Sequence, residues 1–281
     1  MRIAKIRKPL KLQNKGDLEI AFIGCGTAFG KELYNNNFII IKGETHLLVD
    51  FGMTGPRALC MSTGLSVSDI GNLFITHSHA DHIGGLEYLA LQNRYYSQTV
   101  LNKPKLRMII TKEYQKILWE RSLRGGMEWN ESSAQGVQLK FEDYFEAVRP
   151  TLISKSPRLT LEIDFEGLHL EIFGTNHIPD NAKNQNEAFL TYGLFIDNKV
   201  LITGDTKFDI DLLNYYGPKS EVIFHDTSFE NNPVHPSIND LKKLPKQLKK
   251  KMYLMHYGDN WKEQKVDDFA GLVKQGYRYI F

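Results

Sequence analysis

The decapeptide Thr76-His77-Ser78-His79-Ala80-Asp81-His82-Ile83-Gly84-Gly85 constrains this chain more than any other stretch. Three histidines and an aspartate fall within six residues, after apolar Leu73-Phe74-Ile75 and before a glycine pair that opens a helical pattern. The order reads as a strand, a tight turn and the start of a helix. Such a layout holds several nitrogen and oxygen donors on rigid supports, which a metal site requires. His77 and His79 alternate in an extended segment, so both can point the same way. Asp81 and His82 are expected on the turn, where they could serve a second ion. Imidazole, carboxylate and water donors without thiolate suit zinc, with manganese or iron next.

One cluster cannot fill two coordination spheres, so further donors must come from later strand ends. His177 follows Glu171-Ile172-Phe173-Gly174-Thr175-Asn176, Asp205 follows Leu201-Ile202-Thr203-Gly204, and His256 follows Tyr253-Leu254-Met255. Each is the first strong ligand after an apolar strand. Four clusters with the same placement point to a hydrolase with a metal centre.

With 281 residues, 42% hydrophobic and 24% charged, the chain can bury a sizeable core. Its net charge of +2 says little about partners. The two cysteines, Cys25 and Cys60, cannot form a disulfide framework or a thiolate metal site by themselves. They read as reduced thiols in a cytoplasmic protein. The basic start, Met1 to Lys8, has no apolar core behind it and is no secretory signal. No apolar run approaches the ~20 residues that span a bilayer.

Strands are expected at Leu18–Gly24, Phe38–Lys42, Leu47–Asp50, Asn72–Thr76, Arg158–Phe165, His169–Phe173, Phe189–Asp197, Val200–Thr203, Glu221–Phe224 and Met252–Met255. Helices are expected at Gly55–Met61, Gly85–Gln92 and Lys112–Leu123, at Ile238–Leu244 behind a Ser237 cap with Asp240 as capping-box acid, and at Val266–Lys274. Each half is strand-rich first and helix-flanked after. No linker divides them, so one α/β domain over residues 1–281, a four-layer αββα sandwich, is expected. The least regular stretch, Arg124–Gly136, reads as a cap, an insertion or an ordinary surface loop.

These motifs resemble the metallo-β-lactamase superfamily, and the likeness spans roughly Leu18 to His256. The resemblance implies that His77, His79 and His177 hold one divalent ion, that Asp81, His82 and His256 hold another, and that Asp205 bridges them. Asp81 is counted with the catalytic residues as well. Asp50, after Leu47-Leu48-Val49, matches the superfamily's early acid and is expected to support the ligands rather than to bind metal. The bridging Asp205 disfavours the β-lactamase branch; thioesterases and lactonases share it.

After Val222-Ile223-Phe224 come His225-Asp226-Thr227-Ser228-Phe229, and His235-Pro236-Ser237 follows nearby. This is similar to the phosphodiesterase branch containing ribonuclease Z, where an acid and a histidine at these places assist the leaving alcohol. Asp226 stands where that branch usually has Glu, and Pro236 where it has Ser. The resemblance implies attack on phosphorus by a hydroxide that two cations share. His235, oriented and kept protonated by Asp226, would then act as general acid. His225 either supports the site or packs, and His46 and His169 match nothing.

Ribonuclease Z handles tRNA with a long Gly/Pro-rich arm, and no such arm is recognisable here. The chain resembles, in size and motif order, the arm-less cyclic-nucleotide phosphodiesterases and the phage anti-Pycsar proteins. Those phage proteins degrade cyclic nucleotide signals as homodimers whose sites are completed across the interface. A 3′,5′-cyclic nucleotide is therefore the expected substrate, a homodimer the expected assembly, and two zinc ions (or manganese) the expected cofactor. RNA remains an alternative substrate, followed by a lactone or thioester and by a non-catalytic nucleotide-binding role. Two lysine-rich clusters, Arg2 to Lys15 and Lys242 to Lys251, would track a phosphate backbone if they shared a face, but such runs are more often solvated surface. Tyr34, Phe51, Trp129 and Tyr257 could stack on a base, but most aromatics at such positions are core and none is assigned.

Overall fold

Short runs of β-branched and aromatic residues pair into two eight-stranded mixed sheets. A computed structural model describes residues 1–131, 136, 138–183 and 187–281. The chain divides into two compact units, each holding one sheet. The first comprises Met1–Ile23, Asn37–Pro150 and Gly276–Phe281; the second comprises Gly24–Asn36 and Thr151–Gln275.

In the first unit the strand order is Arg2–Lys5, Tyr277–Ile280, Glu19–Phe22, Phe38–Lys42, Thr45–Val49, Asn72–Phe74, Leu106–Ile109 and Phe145–Val148. Pairing is antiparallel as far as Thr45–Val49 and parallel beyond it. Parallel strands end at the same edge, which brings Asp50 and the Thr76–His77 segment side by side. Phe22 anchors the core there, with ring centroids 5.2 Å from Phe38 and 5.7 Å from Tyr279.

In the second unit the order is Gly271–Leu272, Met252–Met255, Val222–Asp226, Val200–Ile202, Tyr192–Ile196, Leu168–Gly174, Thr160–Phe165 and Thr151–Ser154. The first four strands run parallel. Ligands of open α/β sheets gather at the carboxyl ends of such strands, and here those ends deliver Asp205, Asp226 and His256 to one edge. Helix Ile210–Tyr216, capped by the Asp209 carboxylate on the Leu212 N–H, buries Leu212, Leu213 and Tyr216. Tyr216 stacks on Phe173 at 4.6 Å.

Several sequence expectations are corrected. Val266, Phe269, Ala270 and Val273 carry a helical period, yet Val266–Lys274 is not a helix. It turns and then forms strand Gly271–Leu272, parallel to Tyr253–Leu254. Gly271, at φ +145°, takes backbone geometry a helix excludes, and the Val273 N–H donates to the Leu254 oxygen at 2.8 Å. The unpaired edge of the sheet outcompetes a short isolated helix. Asp81 and His82 lie within helix Ala80–Ile83 rather than on a turn. Lys112–Leu123 is helical as expected, α to Leu118 and π over Trp119–Leu123. The irregular 124–136 stretch begins as helix Arg124–Met127, and 132–135 lies outside the described residues. Ser237 does cap Ile238–Lys242, its hydroxyl accepting from the Asn239 N–H, while Asp240 pairs with Lys243.

The two cysteines differ in environment. Cys60 is exposed; Cys25 is buried, its sulfur 3.3 Å from the Tyr257 hydroxyl. Burial pushes the Cys25 thiol up to about 11, so at pH 8 it is almost wholly protonated and unreactive. Iodoacetamide at that pH should add one carbamidomethyl group to the native chain, at Cys60, and a second only in guanidinium. Peptide mass spectrometry that found rapid native labelling of Cys25 would contradict this.

Among the described residues no helix is long and apolar enough to cross a membrane.

Candidate functional site

In the first unit the chain leaves strand Thr45–Val49 at Asp50, which sits at φ +60°, a conformation that costs a non-glycine residue free energy and collects at functional sites. The Asp50 carboxylate accepts from the Thr76 N–H at 2.7 Å and the Thr76 hydroxyl at 2.8 Å. It also lies 2.7 Å from His82 Nδ1. A carboxylate on one ring nitrogen fixes the tautomer and presents the other, the arrangement metal-binding histidines use. His82 Nε2 is 3.2 Å from the Asp81 carboxylate. Gly52 makes this fold-back possible: a Cβ there would lie 1.9 Å from the Asp81 carbonyl oxygen. His77 Nε2 and His79 Nδ1 approach to 2.9 Å, and the His77 and His82 rings to 4.0 Å. His77, Asp81 and His82 are buried and His79 half-buried. Four metal-competent side chains thus converge from one strand-to-helix segment.

In the second unit His177 follows strand Leu168–Gly174. Its Nδ1 bonds the Val234 carbonyl oxygen at 2.9 Å, which leaves Nε2 toward Asp205. Burial lowers the His177 pKa to about 4, against the raising pull of Asp205, so the ring is neutral at physiological pH, the form that binds metal. Asp205 Oδ2 lies 3.8 Å from His177 Nε2 and 3.6 Å from His256 Nε2. These spacings exceed hydrogen-bond length but are near those of two donors on one cation, which sit about 3.4 Å apart at the tetrahedral angle and about 3.8 Å apart at a wider one when each is ~2.1 Å from the ion. The residues therefore fit a divalent metal. His256, like Asp50, is a strand-end residue at φ +60°.

Asp226 ends strand Val222–Asp226 and is fully buried. Its Oδ2 is 2.7 Å from His235 Nδ1 and accepts from the Thr206 N–H at 3.0 Å; its Oδ1 is 3.3 Å from His256 Nδ1. The aspartate, one methylene shorter than glutamate, reaches His235 because the His235 loop is drawn toward the strand end. Ser228 N–H donates to the Pro236 oxygen and Ile238 N–H to the Ser228 oxygen, each at 2.9 Å. The Asn232 side chain accepts from the Val234 and His235 N–H groups. Burial opposes ionisation of Asp226, but His235 and His256 hold its pKa down to about 2. Burial likewise opposes the charge on His235, and the Asp226 carboxylate overrides it, so its pKa lies above the usual histidine value. His235 and His256 line a cleft of about 350 Å³.

The second Asp226 contact, to His256, was not anticipated: one carboxylate orients two histidines. Of the histidines left open, His225 is buried, its pKa lowered by burial, with Nδ1 at 2.6 Å from the Asp226 carbonyl oxygen. His46 accepts from the Gly71 N–H and His169 pairs with Asp164. Of the aromatics, Phe51 and Tyr257 are buried, whereas Trp129 is exposed.

A family model described as "Anti-Pycsar protein Apyc1" matches residues 18–279. The anti-Pycsar protein Apyc1 of Paenibacillus harenae is 34% identical over 257 residues, covering 90% of this chain and 93% of that protein. Among solved structures, the metallo-β-lactamase fold protein YhfI from Bacillus subtilis is similar with a TM-score of 0.66 at 13% identity, covering 94% of this chain and 100% of that one. Human tRNase Z, short form, is similar with a TM-score of 0.59 at 17% identity, covering 91% and 96%. The fold is that of the metallo-β-lactamases, as the sequence motifs implied.

Proposed function

The chain belongs to the anti-Pycsar protein Apyc1 family and is a metal-dependent hydrolase of the phosphodiesterase kind, and on that premise we propose that it hydrolyses 3′,5′-cyclic nucleotides. The ligand set we assign is His77, His79 and His177 for one ion, Asp81, His82 and His256 for a second, and Asp205 shared. Zinc is the ion this donor set suits best, with manganese next. Two such ions would supply Lewis-acid neutralisation of phosphate charge and a water acidic enough to attack at neutral pH.

The chain's own residues do the rest. Asp205 and Asp81 offer the negative charge that sets the site's cation count. Asp50 and Asp226 hold the rings of His82 and His256 in one orientation. His235, charged and held at Nδ1 by Asp226, carries a proton on Nε2 for the ester oxygen that leaves. The balance is simple: the attacking water gives up one proton to solvent as its oxygen bonds phosphorus, one P–O ester bond breaks, the ribose oxygen departs as an alcohol with the His235 proton, and His235 is reprotonated from solvent. That pairing, at 2.7 Å, is the single observation that carries the phosphodiester reading, because a ribose alkoxide is a poor leaving group without a proton. A thioester expels a thiolate, which needs little such help.

The lysine cluster speaks against an RNA track. Lys249, Lys250 and Lys251 each donate to backbone oxygens, of Lys242, Asp267 and Ser220, and Lys243 pairs with Asp240. These ammonium groups brace the fold around helix ends. A cytoplasmic homodimer is the assembly we propose.

Purified protein with added zinc or manganese is expected to open cyclic AMP, GMP, CMP or UMP to a nucleoside monophosphate, and a chelator is expected to abolish this. Chromatography of the products decides it. Inactivity on all four, with cleavage of precursor tRNA, would move the assignment to a ribonuclease.

A further inference from the structure

A single exposed apolar side chain is ordinary on a protein surface, but one held in place at the rim of a cleft is a contact offered to a ligand. Phe29 is 89% exposed, the most exposed large apolar side chain among the described residues. It does not stand on a loose segment. The Asp259 carboxylate accepts from the backbone N–H of Lys31 at 2.8 Å and of Glu32 at 3.1 Å. The Gly30 N–H donates to the Thr27 oxygen, and the Thr27 N–H to the Tyr257 oxygen. Lys262 pairs with the Glu32 side chain at 2.6 Å. The phenyl ring is thus displayed on a braced turn, and it lines the same cleft as His235 and His256. At about 350 Å³ that cleft falls in the range of small-molecule sites. Glu230 and Asn260, 3.4 Å apart, add polar edges to it.

We propose that Phe29 is the base-stacking platform of the site: the flat base lies against its ring while the phosphodiester lies at His235. The proposal rests on the cyclic-nucleotide reading above. Every base has a π-face, so stacking on one phenyl ring tolerates purines and pyrimidines alike and discriminates against substrates without a base. Asp259 is the positioning residue, since its carboxylate fixes the turn that carries the ring.

The test is a set of kinetic constants for the metal-loaded wild type, Phe29→Ala, Phe29→Trp and Asp259→Ala. The substrates are cyclic AMP, cyclic CMP and the base-free methyl riboside 3′,5′-cyclic phosphate. Phe29→Ala should raise KM for both nucleotides by about tenfold to a hundredfold and leave kcat within about twofold. KM for the base-free compound should not move. Phe29→Trp should restore nucleotide KM, and Asp259→Ala should raise it by less than Phe29→Ala does. Unchanged nucleotide KM in Phe29→Ala, or an equal rise on the base-free compound, overturns the assignment. So does a Phe29→Ala protein that changes oligomeric state on gel filtration with turnover lost on all three substrates, because the ring would then belong to a contact between copies. A wild type that cleaves the base-free diester but no nucleotide overturns the cyclic-nucleotide reading as well, whatever the variants do.

Discussion

Changing Asp205 to asparagine is expected to remove bound metal and to lower kcat on the order of a thousandfold without unfolding the protein. Asparagine has the same shape, so the buried pocket between His177 and His256 is not opened or overfilled. What changes is charge. In the wild type one carboxylate oxygen sits 3.6–3.8 Å from two imidazole nitrogens, one of them on a ring kept neutral by burial. The amide offers a cation no net charge there, and a carboxylate–cation interaction at the reacting centre is worth several kcal/mol. About 4 kcal/mol corresponds to the thousandfold loss. Atomic emission on dialysed protein should show metal per chain falling below that of the wild type, while the thermal midpoint of the chelator-treated proteins stays similar. Asp205→Asn with full metal content and wild-type kcat would remove Asp205 from the ligand set and the shared-carboxylate arrangement with it.

The residues we assign as ligands stand out in the sequence for a local reason. His77, His177, Asp205 and His256 are each the first strong metal donor after an apolar strand, and where the strands run parallel such positions gather at one edge. Asp205, Asp226 and His256 illustrate this directly, because their three strands are neighbours in register. The support given by Asp50 was legible for the same reason. What was not legible is non-local. That Asp226 holds His256 as well as His235 depends on how far the 232–236 loop is drawn in, which hydrogen bonds to Ser228 and Asn232 decide. That Phe29 stands in solvent beside those histidines depends on Asp259, some 230 residues away, accepting two N–H groups from the turn. No periodicity reports such a bond. The final helix failed for a different reason: Val266, Phe269 and Val273 do have a helical period, but the same three residues can cover a sheet edge. The free edge at Met252–Met255, invisible in the local pattern, chose between the two. The lysine run misleads similarly, since its ammonium groups end on carbonyl oxygens that only the folded chain brings near.

Replacing His235 with alanine should lower kcat on cyclic nucleotides by about 10²–10⁴-fold, the usual worth of a positioned general acid. Because His235 is not in the assigned ligand set, metal content should stay at the wild-type level. Asp226→Asn should cost at least as much and should also weaken metal binding by about 10–100-fold, since it orients His256 as well. Adding His235→Ala to Asp226→Asn should cost far less than His235→Ala alone, because the two residues act as a unit. The choice of substrate sharpens the test. A nitrophenyl phosphodiester expels a phenolate that needs no proton, whereas a ribose oxygen does. His235→Ala should therefore leave nitrophenyl ester hydrolysis within about tenfold of wild type while nucleotide hydrolysis falls by the full factor. Equal losses on both substrates would show that His235 acts on the ground-state geometry of the site and not on the leaving oxygen. The 2.7 Å pair with Asp226 would then be a structural brace for the His256 side of the cleft.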